Sequence, residues 1–222
     1  MWRDAVLVAG KDLRIEARSR VATNQVAPFA FLVLMLFAFA LDADHTVLSR
    51  ASAGLYWIAV LFSALLAVQR SAAIEGADGA RDQLRLSGLD PAGIFLGKMA
   101  AVAVQLLALE VALGVGVVIL YDASIRGAVL VVATCIAATA GLAAAGTLYG
   151  SLAAGLKVRE TLLPLLLLPV AAPVLLAATK AWQAALDGVP SEGAAWLRLL
   201  GVFAVIYLTF GVVAFGSLLE ES

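Results

Sequence analysis

One glutamate, one histidine, one cysteine and one lysine-ended glycine pair are the residues of this chain that invite a chemical reading. Glu110 stands near the middle of the apolar run 94–120, with Gln105 five positions before it. An ionisable side chain at mid-bilayer costs about 2.5–3.5 kcal/mol on insertion scales. It therefore marks either a transport pathway or a buried hydrogen bond, to Gln105 or to a neighbouring helix. His45 is the only histidine and lies in the short polar segment 42–50. It is a candidate haem-iron ligand or a solvated loop residue, and its solitude removes any site needing two imidazoles from one chain. Cys135 is the only cysteine, which excludes an intrachain disulfide, a cysteine metal cluster and covalent haem attachment. Gly93-Ile-Phe-Leu-Gly97-Lys98 imitates a phosphate loop. It has three residues rather than four between its glycines, Met99 in place of Ser or Thr, and no strand before it. The plainer reading is a lysine snorkelling from the start of a membrane helix. With no G-x-S-x-G, no H-E-x-x-H and no second histidine, the chain is expected to be non-enzymatic.

These residues sit in a chain that lipid must solvate. It is 63% hydrophobic and 14% charged, with mean hydropathy +1.01, where a soluble domain carries about 25% charged residues. Such sequences fold as helices, because the bilayer offers backbone groups no other partners. The net charge of −1 argues against a nucleic-acid partner. Six apolar stretches, about 26–41, 51–69, 94–120, 127–149, 162–179 and 196–219, predict an all-α membrane protein with six transmembrane helices. Together they form one domain over 21–222. The first stretch is short and is expected to recruit residues back to Val21 or to thin the bilayer. The fifth carries Pro164, Pro169 and Pro173, which predict a bent or broken helix packed against protein on its proline side. Gly146-Thr-Leu-Tyr-Gly150 is a G-x-x-x-G, a small-residue surface for close helix packing.

Residues 1–20 predict an amphipathic interfacial helix. Trp2, Val6, Ala9, Leu13 and Ala17 recur on one face, and Arg3, Lys11, Arg14 and Arg18 gather on another. A cleaved signal peptide is the alternative; Asp4, Asp12 and Glu16 within the segment argue against it. With the N-terminus inside the cell, eleven of the fifteen Lys and Arg residues are cytoplasmic, which predicts cytoplasmic termini and a cytoplasmic 70–98 loop. Segment 180–195, outside, has an amphipathic look of its own. In the 70–98 loop, Ala77, Ala80 and Leu84 share one helical side, and Asp78, Arg81, Asp82 and Arg85 the other. Asp78–Arg81 and Asp82–Arg85 are spaced to pair, worth about 0.2–0.5 kcal/mol each. The face is either simply solvated or gripped by another subunit. Gly88 and Asp90-Pro91 end the helix.

An amphipathic start, two spans, then Arg70-(x4)-Glu75-(x3)-Gly79-(x4)-Leu84 closing on Gly97-Lys98, and four further spans, resemble the membrane subunit of six-helix ATP-binding-cassette exporters. More narrowly, five segments resemble the haem exporter B-subunit family of cytochrome c maturation. They are Lys11-Asp-Leu-Arg-Ile-Glu16 with Arg18-Ser-Arg20, Glu75-Gly-Ala-Asp-Gly79, Ile94-Phe-Leu-Gly-Lys98, Gly146-Thr-Leu-Tyr-Gly150 and Arg159-Glu-Thr-Leu-Leu-Pro-Leu-Leu-Leu-Leu-Pro169. Arg85-Leu-Ser-Gly88 departs from the more apolar, proline-containing segment expected there. The resemblance implies a permease of the bacterial inner membrane, with ATP bound on a separate ATPase subunit and haem as cargo. It implies partners: a haem-handling membrane protein, a small single-span protein, indirectly a periplasmic haem chaperone, and, because two ATPase sites imply two permeases, a homodimer. The loop helix would be the coupling helix, with Glu75, Asp78, Gly79, Arg81, Asp82, Leu84 and Arg85 at the ATPase interface. A scaffold that moves nothing, or a proton-coupled transporter using Glu110, are the competing functions.

Overall fold

The computed structural model describes residues 1–20, 22–40, 45–75, 86–154 and 159–220. It is all-α, as hydropathy predicts. Among the described residues seven α-helices follow one another: α1 (Trp2–Ser19), α2 (Ala27–Ala40), α3 (His45–Glu75), α4 (Pro91–Tyr121), α5 (Ala128–Ala154), α6 (Arg159–Leu186) and α7 (Pro190–Glu220). The last five are each long and apolar enough to cross a membrane. Helix α2 has 14 residues, about 21 Å at 1.5 Å per residue, short of a hydrocarbon core about 30 Å thick. A π-helical turn over Ala22–Val26 lengthens it. Together with α1, which meets it at 53°, it is a sixth candidate span, bent at its start. The chain is thus a multi-pass membrane protein.

Two ends of the bundle can be told apart. Phe215 of α7 packs on Phe95 of α4 with ring centroids 5.5 Å apart. The Met1 amine lies 3.4 Å from Asp90 Oδ2, and Glu16 of α1 reaches Arg70 near the end of α3. The N-terminus, the end of α7 and the two helix ends that flank segment 76–85 therefore share one end, called here the loop end. At the far end α6 runs on to Leu186, a three-residue turn follows with Gly188 at φ 78°, and Pro190 starts α7. The expected amphipathic segment 180–195 is thus mostly helix continuing its span, because Trp182 and Leu186 serve the core rather than the surface.

Helix α6 runs as one helix through Pro164, Pro169 and Pro173, so of the expected bent or broken span the break is absent. Its buried face is the stripe Leu163, Leu167, Ala171, Val174 and Ala178, spaced three and four apart. Pro169 and Pro173 fall off that stripe and are exposed, and Pro164 is half-buried. The rings therefore point away from the helix neighbours rather than toward them. Keeping them out leaves α6 a smooth alanine-rich face for close packing.

The main core joins α3, α4, α5 and α6. Tyr56 stacks on Trp182 with centroids 4.0 Å apart, and Trp57 meets both rings edge-on. Glycines set the tightest crossings. A Cβ on Gly146 would come within 2.5 Å of Val68 Cγ2, and one on Gly150 within 3.3 Å of Val68 Cγ1. The G-x-x-x-G of α5 is thus where α3 lies closest.

Candidate functional site

Two places concentrate polar groups that an apolar bundle must account for. The first is the loop end. Ala5, Val8, Asp12 and Glu16 recur at helical spacing on α1 and face the bundle, while Arg3, Lys11, Arg14 and Arg18 stay exposed. Trp2 and Val6 are also exposed, on a third side suited to headgroups and upper acyl chains, while exposed Leu7 lies among the cations. Sequence reading found the apolar and cationic sides and missed the inward one. The spacing of Asp12 and Glu16, one turn apart, was the available signal.

The inward face docks through glycine. A Cβ on Gly93 would lie 2.8 Å from the Met1 carbonyl oxygen, and one on Gly97 2.6 Å from that of Ala5. The glycine pair that imitates a phosphate loop is thus the seat of α1. Lys98 is only 2% exposed, and its Nζ lies 3.5 Å from Asp12 Oδ2. The expected snorkelling lysine is instead buried in an ion pair, because α1 covers the place where its head would meet water. Arg70 Nε is 3.7 Å from Glu16 Oε2. At the tip of α1 the Met1 amine donates to Asp4 Oδ2 at 3.2 Å, and the Asp90 backbone N–H donates to the same oxygen at 3.3 Å. The Asp4 hydrogen bond raises the Met1 amine above its ordinary value. The amine, followed by the Asp90 N–H, holds the Asp4 carboxyl below the ordinary carboxylate range. Asp90 in turn caps α4 by accepting from the Ala92 N–H at 3.0 Å, with Pro91 at the first helical position.

These contacts tie the end of α3 and the start of α4 to one helix, on either side of segment 76–85. Glu75 closes α3, and its side chain lies outside the described residues. So do Asp78, Gly79, Arg81, Asp82, Leu84 and Arg85 entirely, and the side chain of His45, which starts α3.

The second place is mid-bundle. Glu110 is 2% exposed. It does not pair with Gln105. Five residues along a helix turn it about 140° to another side, and Gln105 instead lines a cavity of ≈ 200 Å³ at the loop end with Glu16, Arg70 and Ser63. The Glu110 partner is Thr139 of α5, whose hydroxyl donates to Oε1. The Tyr56 hydroxyl donates to the Glu110 backbone oxygen at 3.2 Å and lies 3.6 Å from Cys135 Sγ. Glu110 thus joins α4 to α5 through its carboxyl and to α3 through its backbone oxygen. Its Oε2 is buried, and the Cys135 thiol is a further hydrogen-bonding neighbour of the carboxyl; beside them a groove of ≈ 400 Å³ between α4 and α5 has almost wholly apolar walls. Among the described residues, no three of His, Cys, Asp and Glu converge as metal ligands would.

Compared with known families, residues 3–222 match the model of the CcmB protein family. The chain belongs to the CcmB family. The heme exporter protein B of Pseudomonas aeruginosa is 29% identical over 215 residues, covering 94% of each chain. That of Haemophilus influenzae is 29% identical, over 96% of this chain and 95% of the relative. The Escherichia coli protein of the same name is 30% identical over 95% of both. The family match covers α1 as well as the spans, so the docked first helix falls within it.

Proposed function

We propose that this CcmB-family chain is the permease subunit of an ATP-binding-cassette transporter in cytochrome c biogenesis. It transmits ATPase-driven motion across the bacterial inner membrane, either for haem export or for release of a haem-loaded chaperone. ATP binds and is hydrolysed on a separate subunit, and haem is cargo. Both termini and the segment 76–85 face the cytoplasm, in line with the positive-inside bias of the loops. The working assembly holds two copies of the permease, a haem-handling membrane protein and a small single-span protein, with the periplasmic haem chaperone engaged indirectly.

The observation that carries this reading is the loop-end clamp. A subunit driven by a separate ATPase must receive motion as force on a surface. Helix α1 grips Lys98 and Arg70 on opposite flanks of the 76–85 segment. A push on that segment is then delivered to α1, α3 and α4 together rather than dissipated in one helix. Coupling further requires that the ATPase states differ in their contacts with the segment. Glu75, Asp78, Arg81, Asp82 and Arg85 are the contacts proposed, with Gly79 and Leu84 in the same helix.

The test is Arg81→Glu with Arg85→Glu. Loss of co-purification with a stoichiometric ATPase in native detergent, and loss of chaperone release, is expected. Unchanged assembly and release would refute the docking site. Partners without any ATPase would favour a scaffold instead.

A further inference from the structure

Helix α1 spends its acids and its cations on different neighbours. Asp4 holds the Met1 amine, Asp12 faces Lys98, and Glu16 faces Arg70. Its acids are thus engaged at its own tip or against the bundle, and the cations are left outside. Lys11, Arg14 and Arg18 are exposed. Among the described residues, Lys11 reaches Asp12 at 3.0 Å, whereas Arg14 and Arg18 form no ion pair. Leu7, Lys11, Arg14 and Arg18 follow one another at steps of four, three and four, so they make one ridge of the helix. With Val6 and Ile15 they line an outward groove of ≈ 500 Å³.

The seat of α1 fixes the depth of this groove. Lys98 and Asp122 bracket α4, and their midpoint is residue 110. Half of a hydrocarbon core about 30 Å thick is about ten residues of helix, which puts the boundary near Ala100. Val8 packs on Gly97, three residues outside that boundary, or about 4–5 Å. The headgroup layer is itself about 5–7 Å thick on each side. Helix α1 then heads toward Gln105, with which Glu16 shares a cavity. Lys11, Arg14 and Arg18 therefore follow Val8 through the layer that holds the lipid phosphates, and their long stems let the charges reach those phosphates.

Three occupants can be compared on these terms. A zwitterionic lipid brings a cation of its own against Arg14 and Arg18. An acidic protein surface answers the charges, but it must displace lipid to enter the headgroup layer and leaves Leu7 and Ile15 without acyl chains. An anionic phospholipid answers both: an unbalanced phosphate for the guanidinium groups and aliphatic carbons for the apolar walls.

We propose that the outer groove of α1 binds an anionic phospholipid, its phosphate held by Arg14 and Arg18 and its upper acyl chain laid along Leu7 and Ile15. The site needs neither ATPase coupling nor a choice of leaflet, so it stands or falls apart from the permease reading.

The test is a benzophenone side chain at position 6 of the full-length chain, photo-activated in nanodiscs of phosphatidylcholine with a minority of phosphatidylglycerol. Each cation facing an anionic headgroup is worth about fivefold, so phosphatidylglycerol should appear in the adducts at least about fivefold above its share of the bilayer. Arg14→Gln with Arg18→Gln should bring the adducts down to that share. Arg14→Lys with Arg18→Lys keeps the charges and should keep most of the enrichment, which separates binding from any fault in folding. Arg198→Gln, an exposed cation of α7 toward the far end, should change nothing, and inorganic phosphate in the buffer should not compete. In native membranes the same label should also capture lipid. Adducts at the bulk composition, enrichment that survives the double glutamine variant, enrichment lost to inorganic phosphate, or a native adduct only with an acidic protein would each overturn the proposal.

Discussion

Replacing Lys98 with methionine keeps the aliphatic stem and removes the charge, so it isolates what the buried ion pair does for α1. Lys98 is 2% exposed, and the variant leaves the Asp12 carboxylate facing the α4 seam without it. Breaking a buried pair by removing one partner costs about 3–5 kcal/mol. Here the loss is smaller, because Asp12 keeps Lys11 at 3.0 Å and some contact with water; about 2–3 kcal/mol is expected. At 1.4 kcal/mol per decade, that raises the undocked fraction of α1 roughly 30- to 150-fold. Val8 reports it directly. It is 3% exposed and lies against Gly97, so a cysteine at position 8, in a Cys135→Ala background, meets a hydrophilic maleimide only when α1 lifts. The labelling rate should rise by that factor in Lys98→Met. In the double variant Asp12→Leu/Lys98→Met it should return to within about fivefold of the parent, since an apolar pair leaves no orphaned charge. Labelling of Lys98→Met at the parental rate, or a double variant as fast as the single, would refute the reasoning.

Two further outcomes test the glycine seat of α1 and the mid-bundle hydrogen bond of Glu110. Gly97→Val places a Cβ 2.6 Å from a backbone oxygen that cannot swing aside, so overpacking of about 1–3 kcal/mol should undock α1 with every ion-pairing residue intact. Gly114→Ala, with nothing within 4 Å, should leave Val8 labelling unchanged. Thr139→Val removes the donor to Glu110 at nearly constant shape and should cost about 1–3 kcal/mol as a buried acceptor is orphaned. Thr139→Ser keeps the hydroxyl and should lose only about a methyl's worth, roughly 0.8 kcal/mol; equal thermal stability of the two in detergent would dismiss the bond.

Much of the architecture is legible along the chain because membrane folding is mostly a one-dimensional constraint. Apolar runs near 20 residues must span, and their backbones must be helical. The runs 51–69, 94–120, 127–149, 162–179 and 196–219 each lie within or nearly within α3 to α7. Where the reading missed, a local rule met a distant neighbour. Three prolines suggested a bend or a break packed against protein, yet α6 carries them mostly on its outer side and stays one helix. Lys98 suggested a snorkel, yet α1, some ninety residues earlier in sequence, covers its head. Glu110 was legible as a buried polar group, but its partner was not. Residues 105 and 110 look close in a string and are turned apart on a helix, whereas Thr139 is brought in by the packing of α5.

The order of apolar and charged residues was enough to decide class, five of the six expected spans and the asymmetry of the loops, since each depends on composition per segment and on bilayer thickness. Tertiary packing alone decided which face of α1 turns inward, which glycines it rests on, and that Glu110 bonds Thr139 of the next helix rather than Gln105 of its own. Those outcomes depend on where one helix lies against another, and close packing between helices is set by side-chain shapes that no periodicity within a single segment encodes.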